Sequence, residues 1–443
     1  MLHSETIPDI EPAIRVGIVL PEDKITKLIL EIPESDCYIL SSSNAKKILP
    51  AGKITIHHKD QKLLFSDHGA ESAWFISPPV KEKMQSPGGI KVTSVVAGRG
   101  FHWQKMIDVY LPGNLEFSIQ DGELVLINEL PIENYLMCVA TSEMGSKCPA
   151  ALIESQTIVA RSWMLANIEK KHIRLGFDVC NDDCCQRYQG TGNLTPQSIQ
   201  GAESTRGQVL LFQDRICDAR YSKSCGGIME KYSTIWDGQD YDYLQNIPDA
   251  DANTARNILP LNSEQEVIDW INKVAVSFCS SKTIPEKNLK WYLGNVDEAG
   301  KYFRWQKKYS QAEFCTLLQE RLHIEAQVIL EFIPLERGGS GRIKRLQIQY
   351  IDKSGQKTQI IVQRDVEIRR ALHQGFLYSS CIYFSKNLDA NDIPTEFTIH
   401  GAGWGHGVGL CQIGALGMAL QGYQTGEIVS HYYPGTQLSR IYR

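Results

Sequence analysis

One glutamate lies where the sequence passes between two predicted helices. Glu143 belongs to TSEMGSKCP at 141–149, after a helical stretch that begins near Leu130 and before a second helix opened by Pro149. Proline suits the first helical turn, because its missing N–H has no partner there. A carboxylic acid held at this elbow beside apolar Met144 would be partly desolvated, which raises its pKa and keeps it protonated as a general acid. A solvated surface glutamate is the alternative interpretation.

A second candidate for chemistry is a group of soft metal ligands. The segment FDVCNDDCCQRYQG at 177–190 follows His172 and contains Cys180, Cys184 and Cys185. One histidine and three thiols match the four ligands of a tetrahedral zinc site in number and type. Such a zinc would be structural, since four protein ligands leave no open position for a water. Adjacent Cys184 and Cys185 are difficult to place on one ion, so one of the two is alternatively a spectator. Three reduced thiols without a metal are the other alternative.

A third segment is rich in glycine. HGAGWGHGVG at 400–409 holds five glycines in ten residues, which predicts tight turns or a close backbone approach. No GK[ST] and no strand–GxGxxG–helix unit accompanies it, so a nucleotide site is disfavoured. His406 stands in the middle, either as a hydrogen-bonded structural histidine or as a substrate contact. The following GALGMALQGY predicts a short helix that ends near a glycine.

Patterns of apolar and turn residues predict the elements that position these groups. Short β-branched runs separated by turn residues fill 14–129, which favours a sandwich or open barrel. From Ala150 to His172 the apolar residues approximate a helical stripe. Residues 176–206 are loop-like. Residues 207–222 predict a β-hairpin with its turn near Gln213–Asp214.

The stretch at 253–394 is predicted to be an insertion with two helices, a hairpin and a further helix. We therefore predict a multi-domain α+β protein. Its parts are a β-rich N-terminal region (14–129), a mixed α/β catalytic core (130–252 with 395–443) and an inserted α+β domain (253–394). The core segments on both sides of the insertion are expected to meet in one cleft.

Composition excludes several classes of function. The 443 residues have a net charge of −5, which argues against a general nucleic-acid binder, because no basic excess is available for phosphate. No apolar run approaches the ~20 residues of a membrane-spanning helix. The first thirteen residues are polar and acidic, unlike a signal peptide, so the sequence alone predicts a cytoplasmic protein.

Three longer segments carry a resemblance to a known family. They are LPIENYLMCVATSEMGSKCPAALIESQTIVARSW, SKSCGGIMEKYSTIWDGQDYDYLQNIPD and GWGHGVGLCQIGALGMALQGYQTGEIVSHYYPGT. In this order they resemble the signature around the catalytic glutamate, the central SCGG segment and the C-terminal signature of the SpoIID/LytB family. The resemblance covers residues 130–252 and 398–440.

The resemblance implies a peptidoglycan lytic transglycosylase. Such enzymes cleave the bond between N-acetylmuramic acid and N-acetylglucosamine and leave a 1,6-anhydro end, in some members on strands stripped of stem peptides. The family's glutamate corresponds to Glu143. Some members hold zinc in the loop that matches 172–185, although this chain has Cys184 beside Cys185 where relatives often place a histidine before the second cysteine. The family's substrate also implies the cell envelope, in contrast to the missing signal peptide.

A lytic transglycosylase needs one acid, whereas hydrolytic glycosidases generally use two carboxylates. Glu133 and Asp237 are weaker candidates for a second acid, and Glu133 is better explained as a charge near a helix start. Side chains in the family-like segments that can hydrogen-bond sugar hydroxyls or amides are the predicted substrate contacts. They are Ser142, Gln156, Arg161, Tyr221, Ser224, His406 and Gln412.

The sequence is also compatible with two other functions. LytB-type relatives stimulate an amidase, so the chain is alternatively a non-catalytic glycan binder with a cell-wall amidase as partner. The other rival is a cysteine hydrolase that uses Cys225 or Cys148 with His406, because histidine can activate a thiol. No third residue that would orient the histidine is evident in the sequence.

Overall fold

The computed structural model describes residues 2, 6–34, 37–78, 83–100, 104–166, 168–182, 184–256, 258, 260–261, 263–273, 276–294 and 301–443, with the backbone alone at 67 and 143. The chain forms two compact units: unit 1 comprises 1–218 and 437–443, and unit 2 comprises 219–436. Both contain helices and sheets, which confirms the multi-domain α+β class. The predicted division at 130, 253 and 395 differs from these units and stays a prediction of domain organisation.

Unit 1 begins with the predicted run of strands. Many of them alternate buried and more exposed residues, as in KLILEI at Lys27–Ile32, because successive side chains of a strand point to opposite faces. The strands are β1 (Ala13–Val19), β2 (Lys27–Ile32), β3 (Tyr38–Ser41), β4 (Lys46–Leu49), β5 (Gly52–Lys59), β6 (Lys62–Phe65), β7 (Ala70–Glu71), β8 (Ala73–Ser77), β9 (Ile90–Ala97), β10 (Lys105–Leu111), β11 (Asn114–Gln120) and β12 (Glu123–Pro131).

Helices follow directly after β12, as the sequence predicts. The remaining elements of unit 1 before residue 219 are α1 (Ile132–Glu143), α2 (Ala150–Ala166), β13 (Val179–Cys180), α3 (Pro196–Ser204), β14 (Gln208–Phe212) and β15 (Arg215–Ile216). The predicted hairpin is confirmed, since Gln213 and Asp214 connect β14 to β15 with φ of 50° and 60°. Two consecutive positive φ values are those of a type I′ turn.

Two predictions in this region need correction. The second helix ends at Ala166 instead of continuing to His172, because residues 168–171 are charged or exposed and give a helix no apolar face to bury. The loop predicted at 176–206 contains α3, where Pro196 occupies the first turn and the Thr195 hydroxyl caps the helix by accepting from the Ser198 N–H.

Most of the unit 1 strands form two sheets around one core. The seven-stranded sheet has the order β13-β1-β12-β11-β8-β3-β4, and the six-stranded sheet has the order β10-β9-β2-β5-β6-β7. Apolar residues of α1 and α2, such as Val139 and Met164, belong to the same buried cluster as Leu124 and Leu126 of β12. The helices that lead to and from the 144–149 elbow are therefore anchored on the sheet by apolar burial.

Unit 2 alternates helices with short sheets. Its elements are β16 (Tyr221–Ser222), α4 (Tyr232–Ile235), α5 (Ala252–Ala255), α6 (Glu264–Asn272), α7 (Glu286–Leu293), β17 (Arg304–Ser310), α8 (Gln311–Leu322), β18 (Ala326–Arg337), β19 (Ile343–Asp352), β20 (Lys357–Gln363), α9 (Asp365–Ala371), β21 (Ile382–Leu388), β22 (Pro394–Ala402), β23 (Leu410–Cys411), α10 (Gln412–Leu420) and α11 (Thr425–Tyr432). The predicted helices α6 and α8, and the β19–β20 hairpin followed by α9, are confirmed.

The sheets of unit 2 are small. They have the orders β18-β19-β20, β17-β22-β21 and the parallel pair β16-β23. The last strand of the chain, β24 (Gln437–Arg440), returns to unit 1, where it pairs antiparallel with β14. Among the described residues, no helix is both long and apolar enough to cross a membrane.

Candidate functional site

The predicted catalytic residue occupies the end of α1. Glu143 is the last helical residue, and Met144 then adopts an extended conformation with φ −134° and ψ 138° and is buried. A turn follows in which the Cys148 N–H donates to the Gly145 carbonyl at 3.2 Å, and α2 begins directly after Pro149. The elbow predicted between two helices is therefore present. For Glu143 the structure describes the backbone.

A buried ion pair joins the two helices of this elbow. Glu133 of α1 accepts two hydrogen bonds from Arg161 of α2, from Nε at 2.9 Å and from Nη2 at 2.7 Å. The same carboxylate accepts from the Gly207 N–H at 3.2 Å and from the Tyr442 hydroxyl at 2.7 Å. Arg161 also donates to the Gln208 carbonyl at 3.0 Å. This network connects α1, α2, β14 and the chain terminus.

These contacts bear on several sequence predictions. Glu133 lies in the first turn of α1, as the sequence predicts, and it is also buried and paired with a fully buried Arg161. A sugar contact by Arg161 would require this pair to be exposed, so the geometry gives Arg161 a structural role. Ser142 is likewise buried, and its hydroxyl donates to the Cys138 carbonyl at 2.6 Å within α1. Gln156 is buried on α2.

The predicted metal ligands of unit 1 lie together. The ligand atoms of His172, Cys180, Cys184 and Cys185 are all within 4.8 Å of one another. The Cys180 and Cys184 sulfurs are 3.0 Å apart, and the Cys185 sulfur is 3.5 Å from Nε2 of His172. This arrangement could hold one metal ion, although the four residues come from a loop of little regular structure.

The thiols of this group differ in acidity. Hydrogen bonds from Cys180 and Cys185 lower the pKa of the Cys184 thiol, and the Lys171 charge acts in the same direction. The pKa of Cys185 is raised to about 12: the hydrogen bond with Cys180 lowers it, but the hydrogen bond with Cys184 and burial outweigh that contribution. A thiolate is the form that binds a metal, so metal binding would release the protons of the thiols that remain neutral.

Buried contacts fix the loop that carries these ligands. Cys180 lies on β13, which pairs with β1, so the loop is attached to the edge of the seven-stranded sheet. The Asp182 carboxylate accepts from the backbone N–H groups of Gly98 at 2.9 Å and Arg99 at 2.7 Å. The Arg99 guanidinium in turn bonds Asn181 at 2.6 Å and forms an ion pair with Asp23. The loop that carries the candidate metal ligands is therefore held in place by strand pairing, hydrogen bonds and an ion pair.

Within unit 2 the SCGG and glycine-rich segments meet. Strand β16 pairs in parallel with β23, and Ser224 exchanges backbone hydrogen bonds with Trp404 at 2.9 and 2.8 Å. Tyr221 lies opposite Leu410 in this pairing. The Ser224 hydroxyl is buried and has no hydrogen-bond partner among the described residues. Gln412, also buried, is the first residue of α10.

The glycines of 401–409 allow this close approach. Gly403, Gly405, Gly407 and Gly409 all have φ between 71° and 99°, a region that L side chains rarely adopt. A Cβ at Gly409 would lie 2.0 Å from the carbonyl oxygen of Arg220. The predicted tight backbone contact is therefore confirmed as the reason for the glycine run.

His406 is held as a neutral imidazole. Its Nδ1 accepts from the Val408 N–H at 3.0 Å, and the ring also hydrogen-bonds the backbone of Tyr221. Burial lowers the pKa of His406 well below its usual value, and the charges of Arg220 and Arg342 lower it further. These contacts favour the structural interpretation of this histidine and leave it unsuited to be an acid at neutral pH.

The sequence-predicted site residues divide between the units. Ser142, Glu143, Gln156 and Arg161 belong to unit 1, whereas Tyr221, Ser224, His406 and Gln412 belong to unit 2. The prediction that Glu143 and His406 share one cleft therefore stays a prediction. The thiol alternative is weakened, because Cys225 is buried and burial raises its pKa, which opposes formation of a nucleophilic thiolate.

Sequence reasoning missed the buried charges of unit 2. Arg342 is fully buried, with its guanidinium 3.3 Å from the Cys225 carbonyl and 3.2 Å from that of Gly405. Glu230, also fully buried, accepts from the Ser340 hydroxyl at 2.6 Å. An isolated charge in an apolar segment is the usual signal for a buried charged residue, but Arg342 is one of four basic residues in RGGSGRIKR at 337–345, so the sequence does not single it out.

Comparison with known proteins gives two family matches. Residues 120–212 match the sequence profile described as "Stage II sporulation protein", which covers α1, α2 and the candidate metal loop. Residues 230–409 match a domain of unknown function. The predicted insertion at 253–394 lies within this second match.

Individual relatives are distant. The chain is 23% identical over 326 residues to an uncharacterized protein of Brachyspira hyodysenteriae, covering 74% of this chain and 71% of the relative. It is 23% identical over 326 residues to "Stage II sporulation protein D" of Bacillus subtilis, covering 71% and 76%. It is also 23% identical over 308 residues to "Amidase enhancer" of Bacillus subtilis, covering 68% of this chain and 40% of that protein.

Proposed function

We propose that this chain is a member of the SpoIID/LytB family and acts on the cell wall, where it cleaves peptidoglycan glycan strands as a lytic transglycosylase. The observation that carries the proposal is the position of Glu143, inside the matched region 120–212 and at the elbow between α1 and α2. The substrate implies that the protein works in the cell envelope.

Glu143 acts first as an acid and then as a base. It protonates the glycosidic oxygen as the bond from C1 of N-acetylmuramic acid to that oxygen breaks. The C6 hydroxyl of the same sugar then forms a bond to C1 and gives its proton to the Glu143 carboxylate. The products are a 1,6-anhydro end and a free N-acetylglucosamine hydroxyl, and no water is consumed. General acid–base help of this kind is worth ~10²–10⁴-fold.

The end of α1 suits a carboxyl group that must carry a proton. The last turn of a helix bears partial negative charge on its unpaired carbonyls, which destabilises an ionised carboxylate there. The neighbouring Met144 is fully buried, so the elbow is apolar on that side. Both features of this position support the acid role proposed for Glu143.

The residues at the β16–β23 junction are the proposed glycan contacts. Tyr221, Ser224 and Gln412 offer a phenol, a hydroxyl and an amide, which suit the hydroxyl and acetamido groups of the glycan. Of these, Tyr221 is the half-buried residue, whereas Ser224 and Gln412 are buried, so a glycan contact through Ser224 or Gln412 would require the junction to open.

The test is the isosteric variant Glu143→Gln. We expect it to lose release of anhydro-sugars from purified, peptide-free glycan strands while its glycan binding and circular dichroism stay unchanged. Glu203→Gln, an exposed glutamate on α3 in the same matched region, serves as the control and should keep full activity. Anhydro-sugar release by Glu143→Gln at the wild-type rate would remove Glu143 from the mechanism.

A second candidate function is stimulation of a cell-wall amidase without glycan cleavage, as the name of one relative suggests. The two functions separate in one experiment that mixes a purified amidase and intact cell walls with wild-type protein or Glu143→Gln. Equal stimulation by both proteins, with no anhydro-sugar from either, would favour the binding function over the enzyme.

We further propose that His172, Cys180, Cys184 and Cys185 bind one structural zinc ion. The ion would tie the loop to the residues after α2 and supply stability, not chemistry. We expect chelation to lower the melting temperature of wild-type protein by several degrees, whereas Cys37→Ser, an exposed cysteine of the N-terminal strands, should respond like wild type. Zinc content unaffected by Cys180→Ser would contradict this site.

A further inference from the structure

We propose a second metal site, inside unit 2, formed by Cys225, Asp249, Cys279 and Cys411. All four residues are buried, and their ligand atoms lie within 4.8 Å of one another. They come from the SCGG segment, the following loop, the predicted insertion and the start of α10. Their wide separation leaves no spacing motif, so sequence reasoning did not group them.

The distances fit one tetrahedral ion. Zinc–sulfur bonds of about 2.3 Å in a tetrahedron place the sulfurs about 3.8 Å apart. The Cys225 and Cys279 sulfurs are 3.8 Å apart, too far for a disulfide and right for two ligands of one ion. A cluster of several irons would need its ligands farther apart than the 4.8 Å limit that contains these four atoms. The geometry therefore points to a single ion.

Two of the sulfurs accept hydrogen bonds from backbone N–H groups, which suits thiolate ligands of a metal. The Cys411 sulfur accepts from the N–H groups of Cys225 at 3.2 Å and Gly414 at 3.3 Å, the latter at the start of α10. The Cys225 sulfur accepts from the Gly227 N–H at 3.4 Å. Metal binding would release the thiol protons to solvent.

The carboxylate is oriented by its own partners. Oδ1 of Asp249 accepts from the Tyr432 hydroxyl at 2.8 Å, and Oδ2 accepts from the Cys279 N–H at 2.8 Å. Fixing a ligand in this way is the usual function of the residues around a metal centre. A Cβ at Gly414 would lie 2.5 Å from Oδ1 of Asp249, so glycine is required for α10 to approach the carboxylate.

The buried charge of Asp249 is a second observation that favours a bound cation. No Lys, Arg or His among the described residues forms an ion pair with the fully buried Asp249, and an unpaired buried carboxylate is costly. A divalent cation would supply the missing positive charge.

Two nearby arginines could balance the charge of the proposed metal site. Nη1 of Arg304 bonds the Gly226 carbonyl at 2.9 Å, and Arg342 reaches the Cys225 carbonyl. Neither guanidinium has a carboxylate partner within the described part of the chain, and burial lowers the pKa of Arg304 to about 10. Three thiolates and one carboxylate around Zn²⁺ carry a net charge of −2, which would match these two cations.

The ion would be Zn²⁺ in a structural role. Thiolate-rich tetrahedral sites select zinc, and four protein ligands leave no place for a reacting water. The site would fasten the SCGG segment to α10 and to the loop that carries Cys279. Ser224 immediately precedes Cys225, so the ion would also fix the backbone of the proposed glycan contacts.

The experiment measures zinc bound per chain after loading with Zn²⁺ under reducing conditions and removal of excess. Cys279→Ser should lower the content by one ion per chain relative to wild type, whatever the cluster in unit 1 holds. Cys381→Ser, a buried cysteine of the same unit outside the four, is the matched control and should lose none. Asp249→Asn is nearly isosteric and should weaken zinc binding at this site by at least about tenfold.

The results of this experiment either support or overturn the proposed metal site in unit 2. Loss of one ion in Cys279→Ser, or the weakened affinity in Asp249→Asn where Cys279→Ser fails to fold, supports it. Equal zinc in wild type, Cys279→Ser and Asp249→Asn overturns it. A disulfide that joins Cys225 to Cys279 or Cys411 in wild-type protein purified without reductant, found by peptide mapping, also overturns it.

Discussion

At the scale of single residues, the structure separates groups that hold the fold from groups that are available for chemistry. Arg161 lies in a segment that resembles a catalytic signature, yet its donors serve Glu133, Gln208 and Thr205. Tyr442 joins the same carboxylate, and burial together with the Glu133 charge raises its pKa, so the phenol keeps the proton that it donates. A charged side chain in a motif is therefore not necessarily a site residue.

We expect Arg161→Met to reduce the free energy of unfolding by about 3–5 kcal/mol, because it leaves the buried Glu133 charge without its partner. The double variant Glu133→Gln/Arg161→Met should lose less than this single variant, since no unpaired charge remains. Lys53→Met, which removes an exposed partner of Glu31, is the control and should change stability by less than about 1 kcal/mol. Chemical denaturation measures all three.

If the Arg161 and Lys53 variants unfolded at the same denaturant concentration, the proposed structural role of the buried pair would be contradicted.

The sequence could not show the structural role of Arg161, because the partners of Arg161 are distant in the chain. By contrast, the grouping of His172 with Cys180, Cys184 and Cys185 was predictable, since residue type and close spacing alone identify soft ligands.

At the scale of elements, local chemistry decided which predictions succeeded. The β14–β15 hairpin and α1 follow from alternation and helical spacing, which are properties of short segments. The end of α2 at Ala166 and the short helix α3 were missed, since both depend on which face the surrounding core covers. The pairing of β16 with β23 joins segments that flank the whole insertion, so only the folded chain reveals it.

The β16–β23 junction yields a test of the glycine run. Gly409→Ala should destabilise unit 2 by more than about 2 kcal/mol, because φ is +71° and the new Cβ would lie 2.0 Å from the Arg220 oxygen. Gly426→Ala, with open space and no positive φ on α11, should be neutral or stabilise by up to about 1 kcal/mol. Thermal unfolding of both proteins makes the comparison, and equal melting temperatures would refute the packing argument.

At the scale of the whole molecule, the candidate functional residues are distributed over two compact units. Unit 1 carries Glu143 and the His172 cluster, and unit 2 carries the β16–β23 junction and the buried Cys225 cluster. Order and resemblance of three segments were enough to predict the family. The buried charges and the second cluster were not predictable, because they arise from residues that only long-range folding brings together.

The most direct test of the central proposal is the fate of water in the reaction. Wild-type protein is incubated with peptide-free glycan strands in isotopically labelled water, and the products are analysed by mass spectrometry. A lytic transglycosylase with Glu143 as its single acid predicts 1,6-anhydro ends that contain no solvent oxygen. Reducing ends that carry the solvent label would show hydrolysis and contradict the proposed mechanism.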